Sequence, residues 1–284
     1  MDRAMAGGEG VRVAEVEAKS LLNRSGITDW TVNCYAGCRH GCRYCYARFA
    51  TRFTHPSEPW GSFVDVKANA PGLLAREVKR RTIGTVFVSS VCDAWQPLEA
   101  RYGLTRRCLE ILLQHGFPVH TLTKSALAGR DLDILAVHHG LVDFGVTITT
   151  LDDSLARLME PMAASPDRRL ALLAEARAKG IRSYAFLGPL LPGLTDTEEQ
   201  ITRLLQAARE VGVDYLYLDR LNPRYGIWPD LKELLLRHYP HLAAQYGRVL
   251  FEPRSREEYT GRLRTTLQRL VARHGLEDRA RFCF

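Results

Sequence analysis

The chain has 284 residues, 46% of them apolar and 25% charged, which fits an ordinary globular protein with room for one large α/β domain. No apolar run is long enough for a membrane span, and the glycine-rich start lacks the basic and apolar order of a secretion signal, so a cytoplasmic protein with reduced cysteines is expected. The net charge of +7, carried by 33 arginines against 6 lysines, permits a nucleic-acid partner without demanding one.

Along the chain, short β-rich runs alternate with amphipathic helical runs, the pattern of parallel βα units. Residues 1–28 read as an N-terminal extension, and a first strand is expected over 29–33. It leads into the run from Asn33 to Tyr46, where Cys38, Cys42 and Cys45 form a C-x3-C-x2-C triplet. Three such thiolates can hold three irons of a [4Fe–4S] cube and leave the fourth open to a substrate or cofactor. A structural zinc site is the competing reading, weakened because no second cysteine pair follows: Cys92, Cys108 and Cys283 stand singly. Cys34 reads as a buried thiol at a strand end, although it could supply a fourth ligand.

A helix over 71–81 leads to a strand over 85–89, followed by Ser89, Ser90, Val91, Cys92, Asp93, Ala94, Trp95, Gln96 and Pro97. Next come a helix over 105–115, a strand over 119–123 and the turn Thr123, Lys124, Ser125. A helix over 131–138 precedes a strand over 142–149 that ends in Thr147, Ile148, Thr149, Thr150, with Glu160 and Pro161 beyond it. The fifth unit pairs a helix over 166–179 with a strand over 182–187 that runs into Gly188 and Pro189, and the sixth a helix over 195–211 with a strand over 215–218. Gly116, Gly140, Gly180 and Gly212 stand where a left-handed residue ends a helix. Another helix is expected after Trp228.

Residues 241–284 read as a helical, Arg-rich C-terminal extension with a last helix over 259–274. Its Arg254, Arg256, Arg262, Arg264, Arg269 and Arg273 could line a polyanion, with a solvated helix face as the simpler reading. Between the two extensions, residues 29–240 hold six βα units with polar residues at every strand end. They predict a partial (β/α)6 TIM-like barrel of parallel strands, with its chemistry on that rim.

The cysteine run, with Tyr44 just before its last cysteine, resembles the signature of the radical S-adenosylmethionine (SAM) superfamily. Taken with the segment from Cys92 to Pro97, the Thr123, Lys124, Ser125 turn, Thr147 to Thr150, and Glu160 with Pro161, it is similar to the spore photoproduct lyase branch. Its shorter relatives, described as DNA repair photolyase-like, are the nearer likeness, from about Asn33 to Asn222. The resemblance implies a monomeric barrel in which a [4Fe–4S] cluster on Cys38, Cys42 and Cys45 binds SAM at its open iron. An electron from a flavodoxin- or ferredoxin-type reductant would cleave SAM to methionine and a 5′-deoxyadenosyl radical that abstracts hydrogen.

By the same resemblance Tyr44 and Tyr46 lie beside the adenine and the reaction centre, and Lys124 binds the SAM carboxylate. Asp93 orients SAM, Thr147 sits near the nucleoside, and Gly188 and Pro189 floor the adenine. In the lyase the substrate is a thymine dimer in DNA. Two departures bear on that activity. The lyase's hydrogen-donating cysteine aligns with Ser90, whose O–H bond is too strong for the task, which leaves Cys92 as the candidate donor and Tyr46 as a relay. Cys34 replaces a proline common in the shorter relatives. The expectation is a radical SAM enzyme acting on a nucleic-acid base. A peptide or small metabolite as substrate is one alternative, and a non-catalytic iron–sulfur or zinc protein another. Trp95, Trp228 and Tyr225 would stack on a base or plug the mouth, and are core residues by default.

Overall fold

The computed structural model describes residues 10–224 and 226–284, so the glycine-rich start and Tyr225 lie outside the described residues. In chain order the strands are β1 (Arg12–Val16), β2 (Asn23–Arg24), β3 (Trp30–Val32), β4 (Tyr35–Ala36), β5 (Phe63–Lys67), β6 (Val86–Val88), β7 (Val119–Thr123), β8 (Val142–Ile148), β9 (Arg182–Leu190), β10 (Tyr215–Arg220) and β11 (Ala280–Phe282). The helices are α1 (Ala70–Glu77), α2 (Glu99–Tyr102), α3 (Leu104–Gln114), α4 (Leu132–Val137), α5 (Asp153–Met159), α6 (Pro166–Ala178), α7 (Glu198–Val211), α8 (Trp228–His238), α9 (Ala243–Phe251) and α10 (Pro253–Arg273).

All six expected barrel strands form. They are β3, β6, β7, β8, β9 and β10, hydrogen-bonded in that order and parallel throughout. Parallel strands are covered by helices on one face and packed on the other, so they need apolar residues on both. Val86, Phe87 and Val88 are all buried, and in β8 only Asp143 reaches partway to solvent. Helix α3 turns Leu104, Cys108, Leu109, Leu112 and Leu113 to the core at three- and four-residue spacing. Ser165 caps α6 ahead of Pro166, and Thr197 caps α7, which sets its start at Glu198 rather than at 195.

Gly116, Gly180 and Gly212 adopt positive φ at helix ends, at 75°, 76° and 73°. Gly140 does not: it sits inside the 3-10 turn His139–Leu141, which carries the chain from α4 into β8 without a left-handed residue. Four pairings add to the six-strand plan. Strand β1 runs parallel to β5 and β5 antiparallel to β4, making a small separate sheet, while β2 pairs antiparallel with β3. The C-terminal segment returns to the barrel, where β11 lies parallel to β10 as a further edge strand.

The barrel interior is filled by aromatic rings. A Cβ on Gly145 of β8 would fall 2.1 Å from the ring of Tyr184, so only glycine leaves room for that ring. Tyr184 is fully buried and stacks between His120, at 4.7 Å, and Tyr215, at 4.9 Å, while Phe87 packs on His120 at 5.2 Å.

Candidate active site

The cysteine loop follows β4 and is shaped by contacts from outside itself. Gln96, fully buried, accepts a 2.8 Å hydrogen bond from Arg39 N and donates one of 3.2 Å to the Gly37 carbonyl. Gly41, at φ 62°, meets Gly61, at φ 95°, so closely that a Cβ on Gly61 would lie 2.8 Å from the Gly41 Cα. The segment before β5 therefore presses backbone to backbone against the loop. Arg39 Nη1 adds a 3.2 Å bond to the Gly61 carbonyl.

Cys38, Cys42 and Cys45 line one cavity of about 110 Å³. Tyr46, Cys92, Asp93, Lys124 and Thr147 line it with them, as do His40, Trp60, Phe87, Ser89 and Ser90. Among the described residues no three His, Cys, Asp or Glu side chains gather tightly enough for a single metal ion. Ligands of one zinc ion would stand about 4 Å apart. Three thiols spread around a shared cavity suit a polynuclear cluster instead. Burial pushes the Cys42 thiol up to about 12 and raises Cys38 and Cys45 as well, so these thiols stay protonated unless a cation lies close by. Among the described residues two further buried polar atoms on cavity residues, Trp60 Nε1 and Ser89 Oγ, lack a well-formed hydrogen bond, although Ser89 lies close enough to Cys92 to lower its thiol. The donor set and these orphans fit a sulfur-rich, polar occupant.

Asp93 lines the cavity with both of its carboxylate oxygens engaged by protein groups. Its Oδ1 accepts from Trp95 N at 2.9 Å and Thr123 Oγ1 at 2.8 Å, and its Oδ2 from Lys124 N at 2.8 Å, with His40 Nδ1 at 3.4 Å. Burial alone would raise this carboxyl, but the His40 imidazole and the converging donors hold it at about 2. Asp93 thus fixes the turn that carries Lys124 and ties it to the cysteine loop through His40. Burial works against the Lys124 charge, yet Cys42 and Glu160 outweigh it and raise the ammonium above its ordinary value.

Tyr44 and Tyr46 part company. Tyr44 does not line the cavity: it is buried, with its hydroxyl bonded to Glu160 and 3.0 Å from Thr149 Oγ1, and its ring lies 5.7 Å from Lys124 Nζ. Glu160 in turn pairs with buried Arg169, which donates a 3.1 Å bond to the Thr147 carbonyl. Tyr46 is 40% exposed at the cavity mouth and donates a 2.7 Å bond to the Ser90 carbonyl. Gly188 and Pro189 also stay off the cavity lining. Gly188 is required because a Cβ there would lie 2.8 Å from the Asp219 carbonyl, and its own carbonyl accepts from Thr149 Oγ1 at 3.0 Å.

Ser90 Oγ accepts from Asn33 Nδ2 at 3.2 Å and lies 3.0 Å from the Thr31 hydroxyl, so it braces the ends of β3 and β6. Cys92 reaches the cavity with its Sγ 3.9 Å from Asn33 Oδ1, and burial lifts its thiol to about 12 although Ser89 works to lower it. Cys34 is buried with its sulfur 3.6 Å from that of Cys108, away from the cavity.

Several polar residues here were not foreseen. His40 and Gln96 sit within the motifs themselves, but their roles depend on partners from distant segments. Ser89 is a non-glycine residue at φ 67°, a strained position of the kind that collects at functional sites. Trp95 is fully buried and donates to Asp131, so it does not stack on a substrate. Trp228 packs edge-on against Phe251. Part of the arginine row is also engaged internally: Arg254 with Glu258, Arg269 with Glu198, and Arg264 over the rings of Phe282 and Phe284.

A parallel partial barrel with three thiols gathered at its strand ends defines an enzyme built around an iron–sulfur cofactor. Residues 32–216, well over half of the chain, match the family model of the Radical SAM superfamily. The chain belongs to that superfamily. An uncharacterised protein of Methanocaldococcus jannaschii is 31% identical over 233 residues, 81% of this chain and 85% of that one. An uncharacterised protein of Mycobacterium tuberculosis is 31% identical over 281 residues, 94% of this chain and 82% of that one. Among solved structures, a variant of spore photoproduct lyase with bound AdoMet and dinucleoside spore photoproduct matches the fold. Its TM-score is 0.70 at 16% identity, covering 100% of this chain and 87% of that one. Enzymes of the superfamily use a [4Fe–4S] cluster and SAM and need a one-electron reductant. Among the described residues no helix is long and apolar enough to cross a membrane.

Proposed function

We propose that this radical SAM enzyme acts on a nucleic-acid base, with Cys38, Cys42 and Cys45 as the cluster ligands. The carrying observation is the single cavity shared by the three thiols, Lys124, Thr147, Cys92 and Tyr46. When bound, the cluster and SAM supply reductive cleavage to a 5′-deoxyadenosyl radical that abstracts hydrogen. Lys124, held by the Asp93 carboxylate at its backbone, offers a cation to the SAM carboxylate. Thr147, 3% exposed and pinned through its carbonyl by Arg169, faces the nucleoside.

Cys92 gives the hydrogen atom of its S–H, a weaker bond than the O–H of Ser90, to the product radical and is left as a thiyl radical, which one electron from the reductant and one proton return to the thiol. Tyr46, the phenol on the same cavity wall, relays hydrogen at the mouth. A basic chain suits a polyanionic substrate, and the structurally similar lyase was solved with a dinucleoside photoproduct. The test is anaerobic reconstitution with SAM, a strong reductant and ultraviolet-irradiated DNA. 5′-Deoxyadenosine together with restored thymine supports the reading. 5′-Deoxyadenosine without any change in the DNA removes the nucleic-acid substrate and leaves a peptide or small metabolite.

A further inference from the structure

We propose that the indole N–H of Trp60 donates a hydrogen bond to a sulfur of the iron–sulfur cluster and thereby raises its reduction potential. The proposal rests on the reading that Cys38, Cys42 and Cys45 hold that cluster. Trp60 is 8% exposed, and its Nε1 is buried with no acceptor among the described residues. A buried indole N–H is costly to leave unpaired, so it marks a partner that the polypeptide does not supply.

The position of the ring narrows what that partner is. Trp60 packs in one apolar cluster with Cys38, and Cys45 and Cys92 lie against the same cluster. It also lines the cavity that the three ligand cysteines share. Its ring is held edge-on to Phe63, with centroids 6.1 Å apart and planes at 84°. The backbone on either side is fixed as well: Ser62 N bonds to the Pro59 carbonyl at 3.1 Å, and Gly61 abuts Gly41 within the cysteine loop. The neighbours of this fixed ring are sulfur-bearing, with Cys38 in the same apolar cluster and Cys45 and Cys92 against it. Protonated thiols accept weakly, whereas iron-bound thiolates and sulfides carry negative charge. That charge grows when the cluster takes up an electron, so a donor to sulfur favours the reduced form. Ser89 Oγ, the other orphan on this wall, sits on a freely turning hydroxyl and fixes no such direction.

The test uses the full chain, reconstituted anaerobically without SAM and titrated redox-wise by electron paramagnetic resonance. Trp60→Phe is expected to take up iron and sulfide at the wild-type level and to show a midpoint potential shifted to more negative values. A fully loaded Trp60→Phe protein with an unchanged or more positive potential overturns the proposal. Should Phe fail to hold the cluster, 3-benzothienylalanine at position 60 keeps the fused rings without the N–H and gives the same reading. A wild-type chain that takes up no cluster, or a Cys42→Ala variant that loads as fully as wild type, refutes the ligand reading itself. The role of Trp60 then falls with it.

Discussion

Thr123 Oγ1 donates a 2.8 Å hydrogen bond to Asp93 Oδ1, which joins the turn after β6 to the end of β7 at the wall of the cofactor cavity. Three other donors, Trp95 N, Lys124 N and His40 Nδ1, converge on the same carboxylate. Asp93→Ala leaves them facing a void. The expected cost is about 2–4 kcal/mol, since stranded buried donors lose their full desolvation energy. Urea unfolding measures this loss, and SAM affinity should weaken in parallel as the Lys124 turn loosens.

Cys42→Ala should abolish iron uptake and 5′-deoxyadenosine formation, while Cys34→Ala should preserve both. Cys34 touches Cys108 rather than the cavity, so its removal trims only a buried sulfur. Iron content after anaerobic reconstitution decides the point. A Cys34→Ala protein that loads no iron would make Cys34 a ligand.

The buried pair of Glu160 and Arg169 cannot lose one member cheaply. Arg169→Met leaves the Glu160 carboxylate, 2% exposed, without its cation, at an expected cost of about 3–5 kcal/mol. Tyr44→Phe removes only one of the donors to Glu160 and should cost nearer about 1 kcal/mol. Denaturant midpoints of the two variants should rank in that order.

Cys92→Ser should separate radical generation from product formation. 5′-Deoxyadenosine should still appear at near the wild-type rate, while the repaired or rearranged base falls at least about tenfold, a change of roughly 1.4 kcal/mol in the quenching step. Chromatography of both products from one reaction provides the ratio. Equal loss of both would assign Cys92 to cofactor binding.

Burial raises the Asp219 carboxyl to about 6, against about 3.9 in an unfolded chain. Between those values the native state keeps a proton that the unfolded state has released, so stability falls as pH rises from about 4 to about 6. Asp219→Asn removes this slope. The variant should be more stable than wild type above pH 6 by about 1–2 kcal/mol, and no more stable near pH 4, in parallel melts across that range.

The sequence made the barrel legible because each parallel strand is a short buried run between a helix end and a polar turn. The small sheet of β1, β5 and β4 leaves no such trace: β4 has two residues, and its pairing with β5 spans a long irregular segment. Strand β11 has three residues and is held by a partner more than sixty positions away. In the site, the cysteine spacing and the strand-end rule located Lys124, Thr147 and Cys92. They did not separate Tyr44 from Tyr46, because an irregular loop has no periodicity to say which ring turns inward. Asp93 faces donors from three separate segments, a convergence invisible along the chain. Trp60 belongs to no strand end and is placed by one glycine meeting another, Gly61 against Gly41.

The column of Phe87, His120, Tyr184 and Tyr215 makes the barrel a well rather than a tunnel. Exchange between solvent and the thiol-lined cavity then runs at the end of the barrel where Tyr46 stands, 40% exposed on the cavity lining.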